Sequence, residues 1–212
     1  MIFRIDLKIV IYIIIYYFTK QIKLYIFVMI FAFIHELGHL LCGLLLKMKV
    51  KRITIMPVGF SLEFRIEEKD LNKKILKGSI IEIKKIAVAI MGPVTNIVII
   101  FYVLFINKDF INKDLIIYSN LCIFLFNLLP IYPLDGGRIL KSFFYIFLNR
   151  KKANTVIYIM SNVGLFFVSI IFGLTLFYHK NMSVIFILFY LWGFFLKEKR
   201  YYSLKKIVYK YL

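Results

Sequence analysis

Cysteine occurs only twice in the 212 residues, as Cys42 and Cys122, and each lies within an apolar run. That excludes a disulfide framework and a Cys-x-x-Cys metal site, so packing thiols are the expectation. Acidic side chains are also few, 11 against 29 Lys and Arg, for a formal net charge of +18. Such a basic excess can signal nucleic acid, but no stretch outside the apolar segments is long enough to fold alone and hold a groove, so no nucleic-acid partner is expected. Internal repeats and low-complexity linkers are absent.

Apolar residues make up 62% of the chain, against about half in a soluble domain. A spanning helix needs about 20 of them, fewer if flanking charges snorkel. Six segments qualify: Ile5 to Thr19, Leu24 to Leu46, Ile86 to Ile106, Leu115 to Leu134, Asn154 to Tyr178 and Ser183 to Leu196. The first has Arg4 and Lys8 at its start, as a signal peptide would, but no A-x-A-like cleavage site follows, and it is read as a helix. Distributing Lys and Arg over alternate connections leaves only Lys20, Lys23, Lys108, Lys113 and Lys180 on one side, which places both termini in the cytoplasm.

Between Val50 and Phe64 the pattern changes. Ile53 and Ile55 precede a Pro57-Val58-Gly59 turn, and Phe60, Leu62 and Phe64 follow it at alternate positions. This predicts a short hairpin, and its second strand is a candidate to receive a substrate through Phe60 and the open edge. Arg65 to Lys85 mixes acidic residues with many lysines and reads as an interfacial helix or solvated loop. The fold class is therefore an α-helical integral membrane protein of about six transmembrane helices with a short membrane-associated β-hairpin, one membrane-embedded domain over residues 1–212.

Within the second span, "FIHELGHLL" places His35, Glu36 and His39 among apolar neighbours. Even mild insertion scales charge about 2.5–3.5 kcal/mol for an ionised group at the centre of a spanning helix, so an accidental cluster is a poor account. His35 and His39, four residues apart, project from one helix face and can reach one ion, while Glu36 is rotated about 100° and stands beside it. This is the HExxH pattern, in which two histidines bind zinc and the glutamate is the general base. Gly38 leaves room on that helix for a neighbour to approach.

A catalytic zinc normally has three protein ligands. The third histidine, His179, lies in the loop between spans five and six, on the far side of the membrane by the charge count. Asp135 is the better candidate. It closes "FNLLPIYPLDGGR" three residues before the cytoplasmic anchor Arg138, and His39 lies about two helical turns before Lys47 at the same surface. Asp135 and Glu36 together would also neutralise Zn²⁺. Pro130, Pro133, Gly136 and Gly137 break the fourth span there, so that backbone must face protein or water rather than lipid. Asn96 in "MGPVTN" and Asn127 are further candidates, as interhelical hydrogen-bonding groups or as oxyanion donors. A zinc transporter built on broken helices is the rival reading, though it leaves Glu36 unexplained.

"HELGH" in the second of six spans, joined to "NLLPIYPLDGG" in the fourth, resembles the site-2 protease family of intramembrane zinc metalloproteases, and most closely its sporulation branch. The resemblance covers nearly the whole chain. It implies one Zn²⁺ on His35, His39 and Asp135, with Glu36 catalytic. It also implies a membrane-associated precursor cut near the cytoplasmic face, typically of a mother-cell sigma factor, in a bacterial membrane facing the mother cell, with inhibitory membrane proteins as further partners. Two departures stand out: no CBS domain is expected after the last span, and the outer loops are too short for a PDZ domain.

Overall fold

Hydrocarbon offers backbone groups no hydrogen bonds, so long apolar runs satisfy them internally as helices. The computed structural model describes residues 2–57, 59–65, 74–105 and 112–179, together with Phe189, Trp192, Gly193, Phe195 and Leu196. Among these residues there are six helices: α1 (Lys8–Phe18), α2 (Ile22–Leu45), α3 (Lys74–Phe105), α4 (Lys113–Asn127), α5 (Asp135–Phe147) and α6 (Arg150–His179). Three strands, β1 (Ile2–Ile5), β2 (Lys49–Met56) and β3 (Gly59–Arg65), form one sheet in the order β1-β2-β3.

Three helical stretches are long and apolar enough to cross a membrane: Ile22–Leu45, Ser79–Phe105 and Arg150–Phe177. The distribution of side chains agrees with that surrounding. Phe101, Phe105, Phe166, Phe167 and Phe177 are exposed, whereas Asn96, Ser119, Asn120 and Ser161 are buried. A surface this apolar is one that meets lipid.

Several boundaries differ from the sequence-based expectation. Ile5 ends a strand instead of starting a helix, because Ile2 to Ile5 pair in parallel with Arg52 to Ile55. The partner lies some fifty residues away, so nothing local marks the strand. What remains of the first segment, α1, has 11 residues and is about 16 Å long. Helix α3 starts at Lys74, well before Ile86, and takes in part of the stretch read as interfacial; residues 66–73 lie outside the described ones. The fourth segment stops being helical after Asn127, short of Leu134, and α5 from Asp135 takes in most of the connection between the fourth and fifth segments. His179 is the last residue of α6 rather than a loop residue. Most of Ser183 to Leu196 lies outside the described residues.

The hairpin is present. β2 and β3 pair antiparallel with Ile55 opposite Phe60 and Ile53 opposite Leu62, and an irregularity falls between Val50 and Arg52. Phe60, Leu62 and Phe64 alternate along β3. Phe60 meets Phe33 with ring centroids 5.2 Å apart, Leu62 is buried, and the Phe64 ring fills the space left by Gly43. β3 therefore runs beside α2 in the same direction, from Phe33 to Gly43. Its turn is held from below, where the Tyr25 hydroxyl donates to the Pro57 carbonyl at 2.9 Å and Tyr16 of α1 stacks on Tyr25 with centroids 4.7 Å apart.

Helix α3 is the hub, in contact with α2, α4 and α5. Its approach to α2 depends on Gly38, where a Cβ would collide with the Thr95 hydroxyl and come within 2.9 Å of the Met91 carbonyl. At Gly173 in α6 a Cβ would meet nothing within 4 Å among the described residues. Overpacking typically costs about 1–3 kcal/mol, whereas alanine in open helix gains up to about 1 kcal/mol over glycine. Gly38→Ala is thus expected to lower the melting temperature in detergent by several degrees, with Gly173→Ala at or slightly above wild type, as thermal unfolding of the two variants will show.

Candidate metal centre

Helical spacing puts His35 and His39 one turn apart, and their rings stand edge to face with centroids 4.7 Å apart. Asp135 reaches them from the start of α5. The chain comes to that point through a turn at Leu128 to Leu134, with a cis Tyr132-Pro133 peptide bond. Its amides are paired: Ile131 N–H donates to the Leu129 carbonyl, Leu134 N–H to the Ile131 carbonyl and Tyr132 N–H to the Ser161 hydroxyl at 3.0 Å. Gly136 and Gly137 let α5 begin directly against this turn, since a Cβ on the first would overlap the Leu128 carbonyl and on the second the Tyr132 amide.

Three donor atoms converge. His35 Nε2 lies 2.9 Å from Asp135 Oδ2, His39 Nε2 lies 3.1 Å from the same oxygen, and the two Nε2 atoms are 3.1 Å apart. The residues are 5%, 2% and 3% exposed for His35, His39 and Asp135. Their outer atoms are engaged elsewhere. His35 Nδ1–H donates to Asn96 Oδ1 at 2.5 Å, His39 Nδ1–H donates to the Val88 carbonyl at 2.7 Å, and Asp135 Oδ1 faces Arg138 Nη1 at 3.6 Å. With both Nδ1 atoms donating outward, both Nε2 lone pairs and a carboxylate lone pair point at one another.

Three buried lone pairs in that arrangement repel unless a proton or a metal cation stands among them. Two imidazole nitrogens and a carboxylate oxygen make a three-ligand catalytic zinc set with one position left open. Ligands about 2.1 Å from a tetrahedral zinc stand about 3.4 Å from one another, close to the separations here. His35, His39 and Asp135 are also the group that could hold a metal ion among the described residues. Glu36 stands at the edge of this space, its Oε2 3.5 Å from His39 Nε2.

The family model for peptidase family M50 matches residues 23–113 and 112–171. The chain belongs to peptidase family M50. Among curated relatives, stage IV sporulation protein FB of Bacillus subtilis is 31% identical over 140 residues, covering 64% of this chain and 45% of that protein. A zinc metalloprotease of Methanocaldococcus jannaschii is 28% identical over 188 residues, covering 83% of this chain and 48% of that one. The chain thus spans about half the length of these curated relatives. The solved site-2 protease from Methanocaldococcus jannaschii superposes with a TM-score of 0.64 at 20% identity, over 92% of this chain and 88% of that one, and so shares its fold.

The M50 fold brings His35, Glu36, His39 and Asp135 together and sets the other candidates apart. Asn96 is fully buried behind His35, its Nδ2 donating to Asn120 Oδ1 at 3.0 Å. Half-buried Asn127 ends α4 and donates to the Ile123 carbonyl at 3.0 Å. Phe60 lies on the hairpin against Phe33. Sequence reasoning missed Val88, Asn120 and the Arg138 contact, and it gave Gly92 no more than a helix-packing role. Val88 and Gly92 had a signal: with Asn96 they recur every fourth residue and share one face of α3.

Gly92 forms the floor of the site. A Cβ there would overlap the His39 ring and lie 2.6 Å from His35 Nε2. Gly92→Ala should displace both imidazoles and weaken zinc binding at least about tenfold, the scale of losing ligand orientation, as chelator competition on the purified variant will measure.

Proposed function

We propose that this chain is an intramembrane zinc metalloprotease of the site-2 type, a single membrane-embedded domain that hydrolyses a peptide bond of a membrane-associated precursor near the cytoplasmic face. The observation that carries this reading is the buried His35, His39 and Asp135 cluster with Glu36 at its edge, set among apolar spanning helices. In this reading His35, His39 and Asp135 bind Zn²⁺, and Glu36 is the catalytic base.

Zinc, when bound, supplies Lewis acidity and brings the pKa of water down to about 7. The Glu36 carboxylate takes the proton of the attacking water and returns it to the leaving amine nitrogen, a role worth about 10²–10⁴-fold in rate. Asp135 and Glu36 together balance the charge of a dication in an apolar medium. Of the two asparagines considered for the oxyanion, Asn127 is the stronger, because its amide has an N–H beyond the one given to Ile123 and Asn96 is fully buried behind His35.

A peptide bond inside a helix is shielded, so the substrate must be extended to be cut. β3 has no strand on its outer side among the described residues and passes α2 at the height of His35 and His39, which suits it to hold an extended segment by strand addition. An apolar groove lined by Ile13, Met29, Phe33 and Phe60 opens beside it and fits the apolar part of such a substrate. The distribution of Lys and Arg supports cytoplasmic termini. A pro-sigma factor cut during sporulation, on the mother-cell side of a bacterial membrane, is the specific substrate we infer, supported by the likeness to a Bacillus subtilis sporulation protein.

Co-expression with a membrane-tethered precursor, followed by metal analysis of the purified protein, tests the assignment. Glu36→Gln should hold zinc near wild-type occupancy while cleavage falls at least about a hundredfold, the lower end of a lost general base. Asp135→Asn should lose both zinc and cleavage, and His179→Ala should keep both. Undiminished cleavage by Glu36→Gln would overturn the mechanism, and a zinc-free His179→Ala protein would overturn the ligand set.

A further inference from the structure

Two buried asparagines connect the metal cluster to a helix that contributes no ligand. Asn96 of α3 and Asn120 of α4 are both 0% exposed. Asn120 Nδ2 donates to the Ile116 carbonyl of its own helix at 2.9 Å, which leaves Oδ1 facing Asn96. Asn96 Nδ2 donates to that oxygen at 3.0 Å, which turns Asn96 Oδ1 towards His35, where it accepts from Nδ1–H at 2.5 Å. Each amide has one orientation that satisfies both of its neighbours. Reversing either would set two N–H groups or two oxygens face to face where no water reaches.

We propose that Asn120 and Asn96 are positioning residues for the metal, a one-way relay from the α4 backbone that keeps the proton of His35 on Nδ1 and its Nε2 lone pair free. The inference rests on the zinc reading of His35, His39 and Asp135, and its test needs no proteolysis. His39 obtains the same service in one step from the Val88 carbonyl. The His35 ring has no backbone carbonyl among its hydrogen-bond partners in the described residues and depends on two side chains. Asn96 is thereby given to orienting a ligand.

A neighbouring residue supplies the control. Ser119 precedes Asn120, is 1% exposed, and its hydroxyl has no hydrogen-bond partner among the described residues. A general disturbance of α4 packing would follow substitution at either position, whereas loss of the relay would follow only Asn120.

The experiment measures zinc affinity of the full chain in detergent by chelator competition. Asn120→Leu, which removes the acceptor at similar size, should weaken binding about 10–100-fold, the range for lost orienting partners. Ser119→Ala should match wild type. In an Asn96→Leu background, Asn120→Leu should add nothing. Wild-type affinity in Asn120→Leu, or an equal loss in Ser119→Ala, would overturn the relay. If Asn120→Leu fails to fold, the zinc-loaded wild type decides: nitrogen-15 spectra should show the His35 Nδ1 proton exchanging slowly with solvent, and fast exchange would refute the proposal. A wild-type chain that takes up no zinc would overturn the metal reading and the relay together. Zinc bound without cleavage of any precursor, with the relay behaviour intact, would overturn only the protease reading.

Discussion

Three lone pairs meeting inside an apolar protein is the constraint on which the rest of the structure depends. His35 Nε2, His39 Nε2 and Asp135 Oδ2 lie about 3 Å apart, where their mutual repulsion would be large in a low dielectric. A divalent cation turns that repulsion into coordination. The surroundings answer the same demand: Asn96 and the Val88 carbonyl occupy the outer nitrogens, and Arg138 faces the outer oxygen. A buried polar cluster in lipid is tolerable only when every member is satisfied.

Helix α3 meets that demand through backbone approach rather than bulk. Gly38 on one helix and Gly92 on the other let α2 and α3 close until imidazole rings lie against main chain. Pro93, inside α3, has no N–H and so leaves the Ala89 carbonyl without its intrahelical donor. The neighbouring Val88 carbonyl is the one that accepts from His39. On the opposite side, the break between α4 and α5 brings Asp135 in at the first turn of a helix, where the backbone dipole favours a negative charge. Two interrupted or crowded helices thus converge on the straight segment that carries the histidines.

The proposed proteolysis would add a second requirement, a peptide bond held extended beside the metal cluster and Glu36. The hairpin lies along α2 at their height, fixed at one end by Tyr25 and Pro57 and at the other by Phe64 against Gly43. Both anchors are side-chain contacts to α2, the helix that also carries His35, Glu36 and His39, so the strand edge and the metal cluster are held in one frame.

The sequence by itself determined what depends on local periodicity and on the chemistry of a few residue types. Apolar runs of spanning length marked α2, α3 and α6; the alternation from Ile53 to Phe64 marked the hairpin; and two histidines four apart around Glu36 in an apolar helix marked a metal pair. Asp135 was legible through its depth relative to Arg138 and its place after a proline-broken segment. Only the tertiary structure decided that Ile2 to Ile5 join β2, because a parallel pairing has no local signal when its partner is fifty residues away. It also decided that α4 ends at Asn127 and α5 begins at Asp135, since an apolar run looks alike whether it continues as helix or turns. The orientation of His35 through Asn96 and Asn120 was likewise invisible in one dimension. Hydrogen bonds among three helices depend on which faces meet, and that is fixed by close packing at Gly38 and Gly92 rather than by any spacing along the chain.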